Sequence, residues 1–118
     1  MSYDLYLKDK DTGETIQLKE PHQMKGGTYA IGGSKEAHLN ITYNYGHHFV
    51  KALGEKGIRT IYGMTGSESM VLLEKAIYLL GNDVDEDYWK PTEGNAKQAL
   101  MHLLILASMC PNGLWTGD

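Results

Sequence analysis

Cysteine, phenylalanine and clustered positive charge are scarce in this sequence. It contains one cysteine, one phenylalanine and three prolines, and its formal net charge is −4. A single cysteine excludes an internal disulfide and a multi-cysteine zinc site. Because Cys110 follows an apolar helical run, we expect a buried, inert thiol there. The sequence has no run of Lys or Arg that could neutralise a phosphate backbone, so we expect no nucleic-acid partner.

Long apolar stretches are also missing. The longest unbroken one, residues 103–107, is far short of the roughly 20 residues that span a bilayer. The first residues, MSYDLYLKDKDTG, lack the apolar segment of a signal peptide. We therefore expect no membrane partner and a cytoplasmic location.

The common enzyme motifs are absent as well. The sequence has no GxSxG nucleophile elbow, no HExxH zinc motif, no P-loop and no dinucleotide fingerprint. The five histidines include no pair at i, i+4 spacing, and the adjacent His47 and His48 would point about 100° apart on a helix. We therefore expect no catalytic residue, no metal site, no cofactor and no enzymatic activity.

Strand patterns occupy the first half of the chain. Residues 3–8 and 14–18 flank a DKDTG turn and predict an N-terminal hairpin, and residues 28–31 predict a short strand. Apolar and polar side chains alternate in residues 38–45, which predicts the clearest strand of the chain. The apolar face of this strand would carry Leu39, Ile41, Tyr43 and Tyr45.

Helical patterns follow. Residues 47–53 predict a short helix, and residues 57–63 predict either a short strand or an extended loop. A longer helix begins with a capping box, Thr65–Glu68, and its broad apolar side predicts that most of it is buried. Thr92 caps the last helix, which Pro111 ends.

Strands first and helices last predict one α+β domain over residues 1–118. We expect a small antiparallel sheet of three or four strands, covered on one face by about three helices. The tail carries Leu114 and Trp115, which would be buried either by folding back or by docking on another subunit. Together with the eight tyrosines, which suit interfaces, this tail predicts a homo-oligomer.

The segment RTIYGMTGSES, residues 59–69, combines a permanent cation, hydroxyl groups and glycines with a helix start. Free backbone N–H groups and the helix dipole favour an anion at such a start, and Arg59 could hold that anion bidentately. Glu68, a carboxylate in the first turn, competes for the same donors. The alternative is therefore a well-capped helix with an arginine packed nearby.

The last helix has a similar start at residues 92–97. Both starts could converge with the polar face of the strand 38–45 into one pocket. Such a lining favours binding of a small anionic or nucleotide-like ligand over turnover, because it lacks an acid–base pair. In this pocket Arg59 would pair with the anion, and the hydroxyl groups of Thr65 and Ser67 would donate hydrogen bonds to it. The asparagine side chains would form hydrogen bonds with the polar edges of the ligand, and Tyr62 would stack on the ligand or donate a hydrogen bond to it. The candidate ligand-binding residues are Arg59, Tyr62, Thr65, Ser67, Asn40, Asn44 and Asn95.

Five phrases of the sequence resemble a group of small bacteriophage and prophage proteins: GGTY, LNITYNY, GIRTIYGMTGSES, TEGNAKQAL and PNGLWTGD. The likeness covers most of the chain from Gly26 onward, and it carries no catalytic residue. Small acidic phage proteins often counter host defences, by occluding a protein or by sequestering a nucleotide signal. The resemblance therefore implies action in the host cytoplasm.

An alternative function is a protein-interaction module that inhibits a host enzyme. Its surface would present the acidic segment 82–87, with Tyr88, Trp89 and Trp115 as aromatic anchors.

Overall fold

The computed structural model of the chain describes residues 1–25, 33–87 and 89–118, which form the predicted α+β fold. The strands are β1 Ser2–Lys8, β2 Gln17–His22, β3 Ser34–Glu36, β4 His38–Thr42 and β5 Leu114–Gly117. The helices are α1 Gly46–Leu53, α2 Gly66–Leu79 and α3 Glu93–Met109. The strand predicted over residues 28–31, and Tyr88, lie outside the described residues.

The central sheet has three antiparallel strands in the order β4–β1–β5. In its register Leu5 lies opposite Leu39, and Leu7 lies opposite Trp115. Because side chains alternate along a strand, these four residues share one face. All four are buried in the core cluster that the helices complete. β2 and β3 form a separate two-stranded antiparallel sheet.

The predicted N-terminal hairpin forms only next to its turn, where the N–H of Ile16 donates to the carbonyl of Leu7 and the N–H of Asp9 donates to that of Glu14. The Asp9 carboxylate accepts hydrogen bonds from the N–H groups of Asp11 and Thr12, at 2.8 and 3.1 Å, which closes the turn. Beyond the turn an isolated bridge joins Lys8 to Thr15, but β2 goes on to pair with β3. β1 pairs along its two edges with β4 and β5, because their buried side chains continue its apolar face.

The strand predicted over residues 38–45 ends earlier than expected. β4 stops at Thr42, whose Oγ1 accepts a hydrogen bond from the N–H of Asn44 and so caps a 3₁₀ turn over Tyr43–Tyr45. The turn leaves Tyr43 38% exposed, so the aromatic side chains do not continue the buried face of the strand as a single row.

A second 3₁₀ turn, Gly57–Ile61, replaces the strand or loop predicted over residues 57–63. Ile58 and Ile61 are both buried. Their spacing of three residues matches the three residues per turn of a 3₁₀ helix, which explains why the segment coils here.

Both long helices begin as predicted. Thr65 Oγ1 accepts a hydrogen bond from the N–H of Glu68, and the Glu68 carboxylate accepts one from the N–H of Thr65, which completes the capping box of α2. Thr92 Oγ1 accepts a hydrogen bond from the N–H of Asn95 at the start of α3. Among the described residues, no helix is long and apolar enough to cross a membrane.

α2 and α3 pack side by side and run in opposite directions. The start of α2 lies on the end of α3, since a Cβ atom added to Gly66 would lie 2.4 Å from the carbonyl oxygen of Cys110. At the other end Glu93, the first residue of α3, accepts a hydrogen bond from the N–H of Gly81, just beyond α2. The two helix starts are therefore separated by about the length of α2, roughly 21 Å for its 14 residues.

α2 is less buried than predicted, whereas the tryptophan of the C-terminal tail is packed in the core. Leu73 and Ala76 are buried, but Val71 and Leu79 are more than half exposed, because α2 packs on the fold with one side only. The tail folds back as β5, and its Trp115 is completely buried.

Candidate functional site

One end of the central sheet carries a cluster of aromatic and charged side chains. β1 begins here and β4 and β5 end here, so residues from distant parts of the sequence meet. The 3₁₀ turn Gly57–Ile61 supplies the arginine. The cluster, which we call the Arg59 cluster, consists of Tyr3, Tyr43, Arg59, Tyr62 and Asp118.

Asp118 links two of the predicted site residues. Its carboxylate oxygens accept hydrogen bonds from Arg59 Nε at 3.0 and 3.1 Å, and one of them also accepts a hydrogen bond from the hydroxyl of Tyr62 at 2.9 Å. Arg59 and Tyr62 are thus brought together in the way that a shared site requires.

The guanidinium group of Arg59 lies over an aromatic wall. Its Cζ atom is 5.1 Å from the centre of the Tyr3 ring, within the range of a cation–π interaction. Tyr43 packs edge-on against Tyr3, with 4.5 Å between the ring centres. The Arg59 side chain is 46% exposed and Tyr43 is 38% exposed, so the cluster opens to solvent.

Burial and hydrogen bonds raise the pKa values of three members of the cluster. Burial raises the pKa of Tyr62, and the hydrogen bond to Asp118 raises it further. Burial also raises the pKa of Tyr3, although the positive charge of Arg59 opposes the shift. The hydrogen bond to Asp118 raises the pKa of Arg59. At neutral pH the cluster therefore presents a permanent cation beside the protonated hydroxyls of Tyr3 and Tyr62.

The outer edge of Arg59 is available to a ligand. Of the Arg59 nitrogens only Nε donates to Asp118, and neither Nη atom has a hydrogen-bond partner in the described part of the chain. The N–H groups of the two Nη atoms form a planar fork that matches the oxygens of a carboxylate or a phosphate. The cluster can therefore hold an oxyanion without breaking the Arg59–Asp118 contact.

The start of α2 is not an open anion site, contrary to the sequence-based expectation. The N–H of Gly66 donates to the carbonyl of Gly113 at 2.8 Å, and that of Ser67 donates to the carbonyl of Pro111 at 2.9 Å. Thr65 and Glu68 use each other's donors in the capping box. The well-capped helix is thus the correct alternative at Thr65 and Ser67.

The two helix starts do not converge in one pocket. The antiparallel packing of α2 and α3 places their starts at opposite ends of the helical layer. At the start of α3 the N–H of Gly94 donates to the Asp83 carboxylate at 3.2 Å, so this helix too is capped from within the chain.

Asn40 lies on the polar outer face of the central sheet rather than in the Arg59 cluster. Its Nδ2 donates to Ser2 Oγ and to Asp4 Oδ1, both at 2.8 Å. His38 Nε2 lies 2.9 Å from the same Asp4 oxygen, and the His38 ring stacks on Tyr6. Asn40 therefore ties β4 to β1, which is a structural role.

The Asp4 carboxylate makes the stability of the fold depend on acid. Partial burial alone would raise the pKa of Asp4, but the hydrogen bonds from Asn40 and His38 outweigh it and hold the pKa below its ordinary value. A lowered folded-state pKa stabilises the fold above the unfolded-state pKa of about 3.9, and that stabilisation is lost as pH falls through the folded-state value.

Replacing Asp4 with asparagine should flatten this acid dependence. Urea unfolding at pH 5, 4, 3 and 2.5 should show a smaller loss of unfolding free energy for Asp4→Asn than for the parent protein. Asp11→Asn, the same change in the exposed 9–13 turn, is the matched control and should leave the slope unchanged. Equal slopes for Asp4→Asn and the parent protein would contradict this assignment.

The other two asparagines also hold the chain together. Asn44 Nδ2 donates to the carbonyl of Trp89 at 3.0 Å. Asn95 is 2% exposed; its Oδ1 accepts a hydrogen bond from the N–H of Asp85, and its Nδ2 donates to the carbonyls of Asp87 and Lys90. Every polar atom of the Asn95 amide is thus engaged in fixing the segment before α3.

Asn95 also borders a polar cavity of about 250 Å³ beside the start of α3. This cavity is lined by Lys25, Tyr45, Val84, Asp85, Glu86, Asn95, Gln98 and His102. It mixes acidic and basic side chains, and its predicted member Asn95 has no donor left for a ligand. The cavity is accordingly a weaker candidate than the Arg59 cluster for an anion.

Fewer residues than expected are available for the surface of the alternative, inhibitory function. Trp115 cannot be an anchor, because it is fully buried, while Trp89 is 40% exposed. In the acidic segment, the Asp85 carboxylate accepts a hydrogen bond from the N–H of Asp87 and pairs with Lys90 at 3.4 Å. Much of the acidic charge therefore stabilises the segment itself.

Sequence reasoning missed Tyr3 and Asp118. Tyr3 precedes Leu5 and Leu7 on the same side of β1, so its position at the start of the buried face was a usable signal. Asp118 lies 59 positions from Arg59, and its role depends on β5 pairing with β1, for which the sequence has no local signal.

Metal and thiol chemistry find no support in the part of the chain that the structure describes. No group of three or more His, Cys, Asp or Glu side chains there could hold a metal ion. Cys110 is buried as predicted, and burial raises the pKa of its thiol.

No family model, curated protein or solved structure matches the chain.

Proposed function

We propose that this protein binds a small anionic ligand that carries an aromatic or heterocyclic ring, and that the Arg59 cluster holds it. The observation that carries the proposal is the guanidinium group of Arg59, whose Nη edge has no partner in the described residues although its Nε is fixed by Asp118. An arginine held in place at one nitrogen loses little side-chain entropy when its other nitrogens bind an oxyanion.

The rings of Tyr3 and Tyr43 supply the second part of the recognition. They form an aromatic wall beside the charged group, and Tyr43 is partly exposed. A ligand ring could pack on this wall while its phosphate or carboxylate meets Arg59. A nucleotide-like compound has both features at the required proximity.

Binding without turnover is part of the proposal. The cluster contains one carboxylate, Asp118, and that group already accepts hydrogen bonds from Arg59 and Tyr62. A general base must be within reach of a substrate proton and free to take it, which Asp118 is not in this arrangement. In a phage setting, as the sequence resemblance implies, such a protein would act by sequestering a nucleotide signal of the host.

Replacing Arg59 with alanine should weaken anion binding about tenfold to hundredfold, the usual worth of a charge-assisted hydrogen bond. Phenyl phosphate, which carries one ring and one phosphate, is a minimal probe. We expect it to shift backbone NMR signals around Tyr3, Tyr43 and Arg59 at low salt in the parent protein. Lys56→Ala is the matched control, because it removes one exposed positive charge just before the same 3₁₀ turn.

Asp118→Asn provides an opposing arm of the same experiment. This change removes the negative charge next to Arg59 but keeps an oxygen in the position of Oδ1, which accepts hydrogen bonds from both Arg59 Nε and the Tyr62 hydroxyl. Arg59 should therefore stay in place, and phenyl phosphate should bind more tightly. Circular dichroism and thermal melting would verify that each variant is folded. Equal affinities for the parent protein, Arg59→Ala and Lys56→Ala would overturn the proposed site.

A further inference from the structure

The exposed sides of α2 and α3 carry large apolar side chains. Single exposed apolar residues are normal, whereas apolar side chains that recur along the exposed side of a helix indicate an interaction surface. Here the exposed fractions of six large side chains range from 45% to 89%. We call this surface the outer helical face, and its apolar members are Val71, Tyr78, Leu79, Met101, Ile105 and Met109. It is made of elements other than those that carry the Arg59 cluster.

One stripe of α2 within this face is complementary to the same stripe of a second, antiparallel copy of α2. Val71, Glu74, Lys75 and Tyr78 occupy positions i, i+3, i+4 and i+7, so they lie along one side of the helix. In order they are apolar, acidic, basic and apolar. When a second copy of α2 lies antiparallel, Val71 meets Tyr78 of that copy, and Glu74 meets its Lys75.

We propose that two copies of the chain associate through this stripe, with a twofold axis that passes between Glu74 and Lys75. A twofold interface uses the same patch on both subunits, so the patch must be complementary to itself. The stripe meets that condition in both charge and apolar character. A shallow apolar depression lined by Glu74, Lys75, Tyr78 and Leu79 lies where Val71 of the second copy would dock.

The charges of the stripe favour a second copy over an unrelated protein. In the described residues Glu74 and Lys75 take part in no ion pair and no hydrogen bond through their side chains, so both are available across an interface. The chain is acidic, with a net charge of −4, yet this stripe is neutral. Two such stripes gain two ion pairs on association, without a like-charge contact between the paired positions.

Analytical ultracentrifugation over a range of protein concentrations tests the proposal. The parent protein should change from the 13.2 kDa chain mass to twice that mass as concentration rises. Lys75→Glu places two acidic residues opposite each other and should raise the dissociation constant about tenfold or more. The double variant Glu74→Lys, Lys75→Glu restores opposite charges across the axis and should restore association.

The rescue distinguishes this interface from a folding defect and from a different contact surface. Neither of those would be repaired by the second charge change, and thermal melting would verify the fold of each variant. A parent protein that stays monomeric at millimolar concentration would overturn the proposal, and so would a dimer that is indifferent to Lys75→Glu. A monomer that binds an unrelated protein through Tyr78 would overturn it equally.

Discussion

Replacing Trp115 with alanine should lower the free energy of unfolding by about 3–5 kcal/mol, the usual cost of deleting a large buried side chain. Trp115 is completely buried, and it extends the apolar face of β1 at Leu7. Its Nε1 donates to Ser69 Oγ at 2.8 Å, and Ser69 Oγ donates to the carbonyl of Gly66 at 2.8 Å. The side chain therefore ties β5 to α2 by a buried polar chain as well as by packing.

Urea unfolding followed by circular dichroism measures this loss. Trp115→Phe keeps most of the ring but removes the N–H donor, so it should cost less than the alanine variant. Trp89→Ala is the matched control, since that tryptophan is 40% exposed and should contribute less. If Trp115→Ala and Trp89→Ala cost the same, the tail does not fold back as β5.

Loss of β5 would directly disturb the Arg59 cluster. Asp118 follows β5, and its N–H donates to the carbonyl of Asp4 at 2.9 Å. The carboxylate of Asp118 in turn fixes Arg59 and Tyr62. Trp115→Ala should therefore weaken the binding of phenyl phosphate even under conditions in which most molecules remain folded, whereas Trp89→Ala should not.

Local features of the fold were predictable because local rules decide them. A threonine followed three residues later by glutamate started a helix at Thr65, since both side chains satisfy backbone donors of the first turn. Thr92 starts α3 by accepting a hydrogen bond from the N–H of Asn95. The DKDTG turn formed because the Asp9 carboxylate reaches the backbone two and three residues ahead.

Pairing and direction were not predictable from those rules. The residues after the 9–13 turn were expected to pair along β1, but they meet it only next to the turn, and the rest of β1 pairs with β4 and β5. Whether the two helix starts meet was left open by the sequence, and antiparallel packing of α2 and α3 separates them. Such outcomes depend on which distant surfaces fit together, and no local pattern encodes that.

The residues predicted for the candidate site were likewise right only in part. Arg59 and Tyr62 were selected for their chemistry, and they do lie together. The three asparagines were selected for the same reason, but backbone and side-chain partners in neighbouring segments occupy them. A polar side chain on a strand or at a helix start usually forms hydrogen bonds with neighbouring parts of the chain. Residue type alone therefore overestimates the number of polar groups left for a ligand.

Replacing Gly66 with alanine is expected to destabilise the fold by about 3 kcal/mol, at the upper end of the usual cost of overpacking. The added Cβ would lie 2.4 Å from the carbonyl oxygen of Cys110 and 2.9 Å from that of Ala107. Both atoms belong to the backbone of α3 or its C-cap, so they cannot rotate away as a side chain could. α2 and α3 would have to move apart, and the hydrogen bond from the N–H of Gly66 to Gly113 would lengthen.

Gly81→Ala is the matched control for this prediction. The nearest atom to a Cβ at Gly81 is a side-chain oxygen of Asp83 at 3.4 Å, an ordinary contact, so its unfolding free energy should change by less than about 1 kcal/mol. Alanine is otherwise the better helix former, so intrinsic propensity favours Gly66→Ala and any loss must come from the crowding between helices. A Gly66→Ala protein as stable as its parent would mean that α2 and α3 do not approach this closely. The antiparallel contact that separates the two helix starts would then have to be revised.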